Sequence, residues 1–226
     1  MPAEAETLPR RTPLYRVLDR EGVAWAATSD AMIADPAGAA AGLCLADLTP
    51  LPRLGFKGRG TIAAMQARGV AVEAQPNRAF RQADGGLCLV LAPGEVFLLA
   101  NPAGDGTRFA EMEQGWRIED EERTYPLPRR DSHAWFAVTG EALPGMFAKI
   151  CGIDLRFHKF PDLTIAQTSV ARLNAIVARA DLGTTPAFHV LADSASAAYF
   201  WECLRDAAVE FGGRIVGISA LRGLTG

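Results

Sequence analysis

Histidine, cysteine and long apolar runs are all scarce in this sequence, and each scarcity removes a class of function. The three histidines, His133, His158 and His189, are widely separated, with no cysteine or carboxylate at metal-ligand spacing beside them, so no metal centre is expected. The four cysteines, Cys44, Cys88, Cys151 and Cys203, are dispersed, and three lie inside apolar runs. That is the pattern of buried, reduced thiols, and it predicts a cytoplasmic protein. The N-terminal stretch MPAEAETLPRRTPLYRV has charges and prolines where a secretory signal needs apolar residues. One of the longest apolar runs, Leu87 to Ala92, fills one buried strand and falls far short of the ~20 residues that cross a bilayer, so no membrane is expected. Charge of one sign is also missing: 23 basic residues meet 26 acidic ones, net −3, which offers no field for a polyanion and argues against nucleic acid. No Gly-x-Ser-x-Gly elbow occurs, and Ser132 next to His133 cannot act as nucleophile and base by adjacency alone.

What is present is the composition of a folded domain. Of 226 residues 49% are hydrophobic and 22% charged, enough for a core without disulfides or metal. Residues 1–42 mix proline, alanine, glycine and charge, and read as an N-terminal arm around one short amphipathic piece, Leu14 to Leu18. Ordered patterning starts at Leu43. Leu54 and Phe56 alternate with Gly55 and Lys57 as a half-buried strand, Gly58 to Gly60 turn the chain, and a short helix opens at Thr61 and stops at Gly69.

The same grammar returns. Trp135 and Phe136 lead a strand through Val138, Gly140 makes the turn, and Leu143, Met146, Phe147 and Ile150 form a helical stripe ended by Gly152. Setting Gly58 on Gly140 also aligns Leu54 with Phe136 and Phe56 with Val138. Further on, two strands around Pro93-Gly94-Glu95 and a helix within 104–116 match strands at 175–181 and 187–193, with Leu99-Ala-Asn101 on Leu191-Ala-Asp193. Val170, Leu173, Ile176 and Val177 also fit a helix; the repeat favours strand. A capped helix follows, with Asp193 or Ser194 at its start, Ala197, Trp201, Leu204, Ala208 and Phe211 on one face and Gly212-Gly213 at its end. The pattern predicts an internally duplicated α+β fold, with halves at 43–118 and 132–217, a charged, proline-containing linker at 119–131 and a tail at 218–226.

Two clusters could carry binding. Lys57, Arg59 and Gly60 combine cations and glycine amides ahead of a helix, a setting for an anion, although a strand-to-helix turn needs the same glycines and the Gly-Lys-Ser/Thr ending of a nucleotide loop is missing. Arg129, Arg130, Asp131 and His133 are candidates for contact with a partner, or a solvated linker. The aromatic residues Trp135, Phe136, Tyr199, Phe200 and Trp201 could stack a flat ligand or fill the core.

DLTPLPRLGFKGRG, PRRDSHAWFAVTGEALPGMFAKICGIDLR, and IAQTSVARLNAIVARAD followed by FHVLADSASAAYFWECLRDA together resemble the gamma subunit family of heterotetrameric sarcosine oxidase, within the aminomethyltransferase superfamily of the glycine cleavage T-protein. The resemblance spans about Cys44 to Gly217. It implies mixed and antiparallel sheets in two related α/β halves, like the folate-binding core of that superfamily. It also implies a non-redox assembly subunit, partnered by alpha, beta and delta subunits, in a complex that oxidatively demethylates an N-methyl amino acid with tetrahydrofolate as one-carbon acceptor. FAD, FMN, NAD and tetrahydrofolate would then be held by the other subunits and no cofactor by this chain alone. The alternative is an independent folate-binding protein or one-carbon transferase, with Lys57, Arg59 and Gly60 meeting the glutamate tail of folate. One departure weighs against it: where a working T-protein places an acidic residue, this sequence has Gly85-Gly86-Leu87, and the nearest carboxylate is Asp84.

Overall fold

The structure, a computed structural model, describes residues 10–28, 30–104, 106–117 and 123–225. A short helix α1 (Tyr15–Arg20) and a ribbon of β1 (Trp25–Ala27) and β2 (Met32–Ala34) precede β3 (Cys44–Asp47). Then come β4 (Arg53–Lys57), α2 (Thr61–Ala67), β5 (Arg78–Arg81), β6 (Leu87–Ala92), β7 (Glu95–Leu99), α3 (Thr107–Gly115) and β8 (Tyr125–Leu127). The order returns in β9 (His133–Thr139), α4 (Leu143–Ala148), β10 (Ile165–Val170), β11 (Leu173–Arg179), β12 (Ala187–Asp193) and α5 (Ala197–Val209), before β13 (Arg214–Ile215) and α6 (Ile218–Arg222).

These strands build two main sheets, ordered β5-β6-β7-β4-β8 and β10-β11-β12-β9-β3-β13. The first five strands of each list correspond one to one, which is the duplication read from the sequence. Leu99 pairs with Leu87 and Leu87 with Arg81 in the first sheet, as Leu191 pairs with Ile176 and Ile176 with Gln167 in the second. The turn glycines correspond too: Gly58 N–H donates to the Gly94 carbonyl and Gly140 N–H to the Pro186 carbonyl, both at 2.9 Å. The halves meet through a reciprocal pair of bonds, Ala79 N–H to Leu163 O and Ile165 N–H to Asn77 O, each 2.9 Å. Asn77 and Leu163 are themselves equivalent positions, and both take positive φ.

Strand alternation fixes the layers. Leu87, Leu89 and Leu91 face the second sheet, where Trp135, Ala137, Ala178 and Leu191 receive them. Their neighbours Cys88 and Val90 turn the other way, beneath Ala64 and Met65 of α2 and Trp116. On the far side Phe136, Val138, Phe188 and Val190 pack against Phe147 of α4 and Phe200, Trp201 and Leu204 of α5. Both faces of each sheet are covered, so the strands read as continuous apolar runs. The result is a helix, sheet, sheet, helix stack. Asp193 caps the start of the short 3-10 turn that leads into α5, its carboxylate accepting from Ala195 N–H at 2.8 Å, and residues 173–179 form a strand.

Four segments join the fold differently from the sequence expectation. Cys44–Asp47, counted with the first half, pairs with β9 in the second sheet, and Tyr125–Leu127, counted as linker, pairs with β4 in the first. Each half therefore takes its closing strand from the segment that precedes the other half. Residues 1–42 contribute more than an arm, because Leu14 and Leu18 are fully buried in the core beneath the second sheet. Likewise α6, inside the expected tail, buries Ile218 and Leu221. The acidic run Glu119 to Glu122 and residues 1–9 lie outside the described residues.

The exchange depends on two glycines. A Cβ at Gly58 (φ +148°) would strike the Arg123 carbonyl just before β8, and one at Gly140 (φ +120°) the Gly42 carbonyl before β3. Gly69 also has positive φ, +72°, but faces open space. Gly58→Ala and Gly140→Ala should each cost about 3 kcal/mol or more, strain plus displaced backbone, against ~1 kcal/mol for Gly69→Ala. Urea unfolding of the three variants checks the order; equal losses would mean the close approach carries no weight.

Candidate functional site

Where the two sheets splay apart at one end, a cleft of about 450 Å³ opens between the halves. Its first wall is the turn Asp84-Gly85 before β6 and the segment Ala100–Ala103 after β7; the second is Ala180–Gly183 after β11. The floor is Trp135 from β9 and His189 from β12, neighbours on the inward face because those strands pair in register Leu191↔Trp135 and His189↔Ala137. Trp135 Nε1–H donates to His189 Nδ1 at 3.1 Å. An accepting Nδ1 leaves the proton on Nε2, which is buried and has no hydrogen-bond partner of good geometry. Burial, then the charge of Arg81, push the imidazole pKa down to about 4, so it is neutral at pH 7.

The polar rim is largely committed to holding its own loops. Arg81 donates to Asp162 at 3.0 Å and to the Asp181 carbonyl at 2.8 Å, while Asp181 is paired with Arg179 at 2.8 Å. Asp84 accepts from Gly86 N–H at 2.9 Å and faces Arg108 at 3.5 Å; Asn101 donates to the Asp84 carbonyl at 2.7 Å. The arrangement offers an aromatic floor and a neutral donor. Both floor residues are buried, so they support the cleft from beneath, and the histidine is too weak a base to be protonated near neutral pH.

The duplication makes a second, shallower cleft of about 340 Å³ from equivalent positions, lined by His133, Gln167, Thr168, Asn174 and Leu191. Gln167 stands where Arg81 does in the first, and its amide donates to Asn77 Oδ1 at 2.9 Å and to the Leu91 carbonyl at 2.7 Å. His133 Nδ1 lies 2.7 Å from Ser132 Oγ, its ring edge on Phe97, and burial with the charges of Arg129 and Arg53 lowers its pKa to about 4.

The residues singled out in the sequence fall elsewhere. Lys57 is exposed and pairs with Glu95 at 3.0 Å; Arg59 is exposed. Gly60 N–H is directed to the Arg123 carbonyl at 3.4 Å, so with Gly58 it serves the turn. Glu95 begins β7 and the cleft takes the residues past its end, about 16 Å along a five-residue strand. Arg129, Arg130 and His133 do come together, through a residue the sequence reading passed over. Buried Arg53 donates to the carbonyls of Arg129 (3.0 Å), Arg130 (2.6 Å), His133 (2.7 Å) and Thr49 (2.7 Å), tying the crossover to β4. Arg129 itself pairs with Glu95 at 2.6 Å and lies over Phe97; Arg130 pairs with Asp30; the Asp131 carboxylate is exposed, 3.7 Å from Arg10. Trp135 and His189 could have been found in the sequence, since both alternate with residues of the opposite face, Phe136 and Phe188. Among the described residues no three His, Cys, Asp or Glu side chains gather as a metal would require, and no helix is long and apolar enough to cross a membrane.

Both lowered histidines bear on stability. Between about pH 6.5 and 4 the unfolded chain binds protons that the folded chain refuses, so their contribution is complete above pH 6.5 and is lost as pH falls through 4. The slope should reach about 1.4 kcal/mol per pH unit for each histidine. Urea midpoints between pH 7 and pH 4 measure it, and His189→Gln should flatten the curve by about half.

No family model matches the sequence, and no curated protein matches it. Among solved structures, a chain of the heterotetrameric sarcosine oxidase from Corynebacterium sp. U-96, in complex with pyrrole 2-carboxylate, superposes with TM-score 0.67 at 20% identity, covering 89% of this chain and 96% of that one. The glycine cleavage system aminomethyltransferase T from Bartonella henselae superposes with TM-score 0.69 at 15% identity over 96% of this chain and 62% of that one, so this chain spans about three fifths of that protein. The stacked, strand-exchanged α+β halves around the cleft are thus the aminomethyltransferase fold, shared with a chain of sarcosine oxidase.

Proposed function

We propose that this chain is the gamma subunit, non-redox and structural, of a sarcosine oxidase-like heterotetramer that oxidatively demethylates an N-methyl amino acid with tetrahydrofolate as acceptor. The observation that carries the reading is the superposition on a chain of the heterotetrameric enzyme, TM-score 0.67 over 89% of this chain. The committed rim of the cleft and its neutral histidine agree with a chain that supplies surface while FAD, FMN, NAD and tetrahydrofolate work in alpha, beta and delta subunits. The four free cysteines suit the reducing cytoplasm. Co-expression with the three partner subunits should yield a stable complex, and the chain purified alone should carry no flavin spectrum. A chain that stays monomeric in their presence overturns the reading.

The cleft itself favours a second reading, an independent folate-binding protein or one-carbon transferase. Asn101 and the Ala180–Gly183 segment line the opening above the buried Trp135–His189 pair, leaving room for a small ligand. The fit is poor on the acidic side, because the Asp84 carboxylate is engaged by Gly86 and Arg108. Titration calorimetry with tetrahydrofolate separates the two: heat at micromolar ligand supports the second reading, and none at millimolar rejects it.

A further inference from the structure

We infer that the tip of the β10–β11 hairpin, with Tyr199 beside it, is a docking face for a partner subunit whose surface presents a carboxylate next to an apolar pocket. This rests on reading the chain as an assembly subunit.

The argument starts from strain. Val170 pairs with Leu173, so Ala171 and Arg172 form a two-residue turn, and both take positive φ, +48° and +66°. Such turns favour Asn-Gly, because a Cβ in this region costs on the order of 1 kcal/mol. At Ala171 the cost has a local return. Its methyl is buried in the core, its N–H donates to Ile150 O at 2.8 Å, and its carbonyl accepts from the Tyr199 hydroxyl at 3.2 Å. Arg172 has no such return: its side chain is exposed and makes no ion pair among the described residues. Glycine would relax the turn at no loss to packing, so the arginine has a use outside the chain.

The surroundings fit a protein contact. Of the four large hydrophobic side chains exposed among the described residues, Tyr199 (52%) is clamped to the turn, and Ile153 (40%) lies two residues beyond Cys151, which bridges Val170. Tyr199 is tethered to the turn by its hydroxyl, and with the exposed Arg172 it supplies two of the residue types that dominate interface hot spots. The opposite charge that completes it is a carboxylate on the partner.

The test uses the full chain co-expressed with the alpha, beta and delta subunits, with affinity measured on the purified complex. Arg172→Glu and Tyr199→Ala should each weaken assembly at least tenfold. Arg172→Gly should weaken assembly likewise while raising the urea midpoint of the free chain, a combination that damage to the fold cannot produce. Val209→Asp, exposed about 15 Å further along α5, should leave assembly unchanged. If the native chain assembles and the Arg172 and Tyr199 variants assemble as tightly, the docking face lies elsewhere and the inference is wrong. A native chain that self-associates, and that Arg172→Glu returns to monomer, gives the face to a second copy and overturns the partner. Failure of the native chain to assemble at all removes the subunit reading first, and this inference with it.

Discussion

Two sheets share one apolar layer, and neither can close without a strand delivered from the other side of the chain. Leu87, Leu89 and Leu91 on one face and Trp135, Ala137 and Leu191 on the other are buried only when the sheets are stacked. Because Cys44–Asp47 completes the second sheet and Tyr125–Leu127 the first, separating the halves would expose that layer and also strip an edge from each sheet. The halves are therefore one cooperative unit although the sequence pattern repeats each of them separately. Arg53 secures the crossover: a buried guanidinium that serves four backbone carbonyls compensates polar groups a loop at the centre of the molecule would otherwise leave unpaired.

The clefts follow from the same duplication. At each end of the shared layer the strands splay, and equivalent positions line both openings, but the residues there have diverged. Trp135 and His189 floor one; Gln167, tied to Asn77 and Leu91, half fills the other. A histidine with a pKa of about 4 is a fixed neutral donor, a group that orients and does not exchange protons near pH 7.

Parts of this were legible in the residues and parts were not, for identifiable reasons. Leu54/Phe56 against Phe136/Val138, with Gly58 against Gly140, announced the repeat because alternation and turn glycines are local properties of a strand and its end. β5 and β10 were not announced: Arg78-Ala-Phe-Arg81 and Ile165-Ala-Gln-Thr-Ser-Val170 have mixed patterns and become strands by pairing with β6 and β11. The cations at Lys57, Arg59, Arg129 and Arg130 drew attention because charge is visible in a sequence, whereas their pairing with Glu95 and Asp30 is not. Arg53 shows the converse, an arginine inside an apparently ordinary strand whose burial no neighbour in sequence foretells.

By itself the sequence determined the duplication, the helices within the two halves, the strands β4, β6, β7, β9, β11 and β12, and the apolar faces, since each depends on residues within a few positions of one another. Which sheet each closing strand joins, the stacking that leaves a cleft over Trp135 and His189, and the positive φ that holds Arg172 outward were decided only by tertiary structure. They arise from contacts between residues far apart along the chain, where local preference is silent and the geometry of the closed layers selects the partner.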